Sequence, residues 1–174
     1  FCPQSVTICL EHDIDISRGD MIVGLDNLPG MGSDLHARIC WMSIRPLQAG
    51  KKYFLKHGPK TVQAVVTQIE GRINMETLDL DPGATEFRAN DIGVIRIKTA
   101  KPIIYDGYAT NRLTGSFILI EQGTNATVAA GMVVERRSVG DATRTRRKSI
   151  DAGRNVRLQS LRLVTPEQRR ARLG

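Results

Sequence analysis

Between Leu35 and Val134 no apolar run lasts long before Gly, Pro, Asn or Asp interrupts it, roughly every 8–15 residues. Within the runs, large apolar residues tend to alternate with polar ones. A period of two, broken this often, leaves little room for an amphipathic helix and favours strands joined by turns. LHARICWMSI (35–44), YFLKHG (53–58), KTVQAVVTQIEGRIN (60–74) and IGVIRIKTAKPII (92–104) each read as a strand, with Gly71 at a bulge in the third. RPLQAGKK (45–52) and LDLDPGATEFRAND (78–91) supply the turns between them. The stretch YDGYATNRLTGSFILIEQGTNATVAAGM, from Tyr105 to Met132, adds two more strands, 115–122 and 127–135, each behind a polar turn. At least six strands in ~100 residues imply an all-β fold closed as an antiparallel barrel. No helix is expected before residue 160.

The chain has 174 residues, 41% of them hydrophobic, enough for one ordinary domain or two small ones. Aromatic residues make up only 5%, so the core is expected to be Val, Ile, Leu and Ala. No run approaches the ~20 apolar residues a membrane helix needs. FCPQSVTICLEHD has neither the basic start nor the long apolar centre of a signal peptide and opens straight into alternation, as though in mid-domain. Cys2, Cys9 and Cys40 are odd in number and form no CxxC pair, so reduced, buried thiols in a cytoplasmic protein are expected.

The net charge of +7 is uneven. Residues 136–174 hold 12 Lys and Arg against 3 Asp and Glu, a balance of +9, whereas residues 1–135 balance at −2. The basicity belongs to the tail and does not make the body a nucleic-acid binder.

Organisation follows the composition. SVTICLEH reads as a strand, and DISRGDMIVG as a turn at Arg18-Gly19-Asp20 with a strand after it. Pro29, Gly30 and Gly32 in DNLPGMGSD (26–34) mark an inter-domain linker. RRSVGDATRTRRKSIDAGR (136–154) has almost no large apolar residue and reads as a disordered, basic connector. Beyond it, Thr165 as N-cap, Pro166 as first helical residue and Gln168 as capping partner start a helix.

Chemistry is scarce. There is no GxxxxGK[ST], no GxGxxG after a strand and no HExxH. His12, His36 and His57 stand apart and read as surface or strand-edge residues; EHDID (11–15) reads as a solvated turn. Asn125-Ala126-Thr127 matches a glycosylation acceptor by chance. RTRRKS (144–149) lacks any stacking aromatic from Val133 onward, which favours a connector over an RNA site. No catalytic, cofactor-binding or metal residue is assigned; the residues describe a barrel that serves as scaffold or interface.

Three stretches share one resemblance. DIDISRGDMIV (13–23) resembles the end of the second domain of the large, GTP-dependent subunit of bacterial sulfate adenylyltransferase. WMSIRPLQAGKKYFLK (41–56) resembles the start of its third domain, with Trp41, Met42, Pro46, Leu47, Gly50, Tyr53 and Lys56 at matching places. NRLTGSFILIEQGTNATVAAGM (111–132) resembles that domain's end. That family is built like elongation factor Tu, a GTPase domain followed by two β-barrels. The resemblance implies that 1–26 are the last strands of barrel two and 34–135 are barrel three, with the GTPase domain upstream. NVRLQSLRLVTPEQRRARLG (155–174) resembles the lead-in to an adenylylsulfate kinase domain: Asn155, Val156 and Gln159 match, while Arg157 and Leu158 depart. Residues 136–154 would then link two enzymes.

The resemblance implies sulfate activation, in which ATP and sulfate give adenylyl sulfate and pyrophosphate, coupled to GTP hydrolysis, before the kinase phosphorylates the 3′-hydroxyl. GTP, ATP and Mg would serve the whole enzyme and no cofactor this stretch. The implied partners are a small catalytic subunit and the upstream GTPase domain, with no membrane and no nucleic acid. Asn111, Arg112 and Thr114 would fix the barrel's rim, and Gly115 and Gly131 would permit close turns. Two other readings remain: a translation-factor-like barrel that binds RNA, and a free-standing adaptor barrel.

Overall fold

The computed structural model describes residues 5, 7–10, 14–24 and 28–134. One compact unit spans Arg18–Arg137, and its described residues hold nine strands and no helix. They are β1 (Gly30–Trp41), β2 (Leu47–Gln48), β3 (Lys52–His57), β4 (Lys60–Ile73), β5 (Leu80–Asp81), β6 (Glu86–Phe87), β7 (Ile92–Tyr105), β8 (Ser116–Glu121) and β9 (Thr127–Val133). The main sheet runs β3-β8-β9-β1-β7-β4, and an antiparallel β3–β4 pairing closes it into a six-stranded barrel. β5 pairs with the end of β4, and β2 with β6. Closure leaves none of the six strands with an open edge.

Period two decides which residues point inward. Leu35, Ala37, Ile39 and Trp41 of β1, Tyr53 and Leu55 of β3, and Val62, Ala64 and Val66 of β4 are buried. So are Ile95 and Ile97 of β7, and Phe117 and Leu119 of β8. Burying each large apolar side chain is worth roughly 1.5–3 kcal/mol. Leu47 and Phe87, from the small β2–β6 pair, join the same core. Gly93 is required there, because a Cβ on it would overlap the Phe87 ring and the Gly71 carbonyl oxygen. Trp41 is 1% exposed, meets Tyr53 edge-on at 5.8 Å, and donates from Nε1 to the Arg45 carbonyl at 2.8 Å.

The all-β barrel agrees with the sequence reading, and so do the bulge at Gly71 and the turn at Gly19, whose φ is +103°. Several expectations are corrected. β1 starts at Gly30, inside the stretch read as a linker, because Gly30, Met31 and Gly32 pair with Tyr105, Ile104 and Ile103 at the end of β7. Among the described residues of SVTICLEH only Ile8 makes a bridge, so no strand is seen there. Gly131 is not in a turn: it is mid-strand in β9, where a Cβ would collide with the Phe117 ring. Cys9 is exposed and Cys40 half-buried on the outer wall, so neither thiol belongs to the core. The connector at 136–154, the helix start at Thr165, Cys2 and His12 lie outside the described residues.

Candidate functional site

The two described histidines, His36 and His57, both make side-chain hydrogen bonds. His57 of β3 is 6% exposed, and its Nε2 lies 2.7 Å from the Thr114 carbonyl oxygen, so that nitrogen carries the proton and donates. Thr114 donates its hydroxyl to Asp106 at 2.5 Å. Asn111 accepts the Leu113 amide on Oδ1 at 3.1 Å, and its carbonyl accepts the Gly115 amide at 2.8 Å. Gly115 must be glycine, since a Cβ would lie 2.5 Å from the Tyr108 Cα. The Gly115 carbonyl in turn accepts the Val133 amide at 2.8 Å. Asn111 and Thr114 therefore fix the rim as the sequence suggested. Arg112 is exposed and makes no such bond among the described residues. The cluster is a structural clasp; it offers no free nucleophile or base.

A second cluster lies on the outer wall where β1, β7 and β4 meet. The bulge in β4 lets Ile69 oppose Ile95 and Gly71 oppose Val94, so Glu70 is the extra residue between them. That re-aims its carboxylate. Oε2 meets His36 Nε2 at 2.8 Å and Oε1 meets Arg96 Nε at 2.6 Å. Burial alone pushes the Glu70 carboxyl up, but the His36 ring and the Arg96 guanidinium outweigh it and hold the group below the usual glutamate range. Nothing foretold this cluster in the sequence, because the three residues are 26–60 positions apart and meet only across the sheet.

The remaining wall is apolar in one sector and basic in another. Ile118, Ala130, Cys40 and Ile92 stand opposite one another across β8, β9, β1 and β7 and face outward. They line a groove of about 560 Å³ with Met132 and Leu113, the latter 85% exposed. Lys56 ends the row on β3. Beside it, Lys52, Val65 and Lys98 form a second outward row over β3, β4 and β7. No group of three or more His, Cys, Asp or Glu that could hold a metal occurs among the described residues. No helix there is long and apolar enough to cross a membrane. The outer wall thus carries an apolar groove and a lysine row, and no cluster of potential metal ligands among its described side chains.

A closed six-stranded antiparallel barrel defines the class. The family profile described as GTP-eEF1A C-terminal domain-like matches residues 34–134, and the chain belongs to that family. Its curated relatives are more particular. It is 43% identical over 145 residues to sulfate adenylyltransferase subunit 1 of Alteromonas mediterranea, covering 83% of this chain and 30% of that protein. It is 38% identical over 177 residues to the bifunctional enzyme CysN/CysC of Rhodopirellula baltica, covering 100% of this chain and 26% of that one. The chain thus spans under a third of the length of these relatives. The crystal structure of sup35 complexed with GDP shares the fold, with a TM-score of 0.57 at 17% identity over 64% of this chain and 27% of that one.

Proposed function

We propose that the chain is the coupling-barrel portion of the large subunit of a sulfate adenylyltransferase, in the form fused to adenylylsulfate kinase. Residues 34–135 are its third domain, 1–26 the end of its second barrel, 136–154 an inter-enzyme linker and 155–174 the start of the kinase. The observation that carries this reading is the similarity to a bifunctional CysN/CysC enzyme along the whole of the chain, tail included. The absence of any phosphate loop from the sequence fits a part that relays and does not itself bind nucleotide.

The whole enzyme, in the cytoplasm, joins ATP and sulfate into adenylyl sulfate and pyrophosphate, driven by GTP hydrolysis, with Mg on the nucleotides. Adenylyl transfer belongs to a small catalytic subunit, and the barrel's part is to hold that assembly together.

The test is the reading frame on both sides of the chain, then its product. A phosphate loop upstream of Phe1 and another after Gly174 are expected. The full polypeptide, purified with the small subunit, is expected to make adenylyl sulfate only while hydrolysing GTP. A frame with neither loop would overturn the proposal and leave a free-standing barrel.

A further inference from the structure

Six lysines fall among the described residues, and all lie on one side of the barrel. Lys51 precedes β3, Lys52 and Lys56 lie in it, Lys60 opens β4, and Lys98 and Lys101 lie in β7. These three strands are neighbours. None of the six makes an ion pair with a described residue; Lys60 alone reaches a partner, the Pro102 carbonyl at 3.2 Å. The ion pairs among described residues all use arginine or His36. Many of the acids sit elsewhere: Glu76, Asp79, Asp81, Glu86 and Asp91 cluster in the excursion between β4 and β7.

Like charges on one wall repel and gain nothing from the fold. Two of them, Lys52 and Lys98, line a shallow groove of about 370 Å³ together with Val65, Ala100, Gln63 and Thr67. An apolar centre edged by charge is the anatomy of a protein interface. Nucleic acid fits less well. No fully exposed aromatic ring lies on β3, β4 or β7 for a base to stack on.

We propose that the β3–β4–β7 lysine wall docks a carboxylate-rich surface of the partner subunit. This rests on the reading of the chain as part of a large subunit. Carboxylates arriving there meet cations that have no ion-pair partner among the described residues to give up, so the contact speeds encounter and fixes orientation.

The experiment uses the full-length polypeptide and the purified small subunit, with binding followed at about 0.05 and 0.5 M salt. K52E/K98E is expected to weaken binding roughly tenfold at low salt, mainly through slower association, with the gap narrowing to about twofold at high salt. K52Q/K98Q should fall between, and R88E, on the acidic side, should bind as wild type. Unchanged thermal melts separate a docking defect from a folding one. Should the wild-type pair make adenylyl sulfate while K52E/K98E binds as well as wild type at both salts, the docking site is wrong and the function stands. A wild-type pair that neither binds nor makes adenylyl sulfate sinks both. If K52E/K98E loses affinity for a labelled single-stranded oligouridine but not for the subunit, the wall is a nucleic-acid site and the proposal fails.

Discussion

Along β1, β7 and the far half of β4, the Glu70 carboxylate sits between His36 and Arg96, at 2.8 and 2.6 Å. On the same β4 and β7, Lys98 and Lys101 face solvent and half-buried Lys60 reaches only the Pro102 carbonyl, all three without an ion-pair partner among the described residues. The strands, pleat and neighbouring core are shared. What differs is the bulge, which adds Glu70 to one sector and has no acidic counterpart in the other. One sector of the wall pairs its charges within the chain, and in the other the lysines have no ion-pair partner among the described residues. Charges satisfied internally contribute to the fold, whereas exposed unpaired ones contribute little to it and matter chiefly to association.

The largest effect should come from crowding Gly71, the residue that follows the bulge. A side chain on Gly71 would begin 2.7 Å from the Asp81 carbonyl and 2.8 Å from Leu80 Cγ, so Gly71→Val must displace β4 or β5. A loss of about 2–4 kcal/mol in urea unfolding is expected. Stability within error of wild type would mean the bulge is not held by that contact. Next is Glu70→Ala, which leaves Arg96 and His36 without their shared acceptor. It should cost ~1–2 kcal/mol, and Glu70→Gln somewhat less.

The same carboxylate gives the two sectors different pH behaviour. Its pKa is lowered in the fold, so its contribution is present above the unfolded glutamate value and is lost as pH falls through the folded one. Acid unfolding of Glu70→Gln should be measurably flatter over that window, and an unchanged acid limb would remove Glu70 as its cause. At the alkaline end the responsive group is Tyr53, inside the barrel on β3. Burial first, and the Glu121 charge second, push its phenol to about 12. Stability linked to it is full below the ordinary tyrosine value of about 10 and declines as pH rises toward the folded one. Tyr53→Phe should lose that slope, read from melts across the alkaline range. The smallest effect is on the lysine side itself. Lys52→Ala and Lys98→Ala together should change stability by no more than about 0.5 kcal/mol. A larger loss would show that the lysines belong to the fold after all.

Strand period and turn chemistry make most of the barrel legible from residues alone. Val62-Gln-Ala64 and Ile95-Arg-Ile97 alternate apolar with polar, so one face of each is buried, and Gly19 takes the positive φ its turn position suggests. The misreadings have local causes. Pro29, Gly30 and Gly32 signal a turn by composition, yet the end of β7 pairs with both glycines. Gly131 carries no sign in the sequence that Phe117, fourteen residues earlier, would lie against its Cα. His57 reads as a surface residue because its acceptor, the Thr114 carbonyl, is a backbone atom 57 positions away.

The sequence by itself determined that residues 35–134 form strands joined by turns, where most of those turns fall, and that the chain lacks a phosphate loop. These are matters of local period and composition, and neighbours within a few residues settle them. Only the tertiary structure decided which outward residues share a sector of wall. Closure of β3 onto β4 and the bulge at Glu70 help set the register, and register brings His36 to Glu70, Lys52 and Lys98 to either side of Val65, and Cys40 to Ile92. Each of those meetings depends on hydrogen bonds between strands far apart in the chain, which no local pattern encodes.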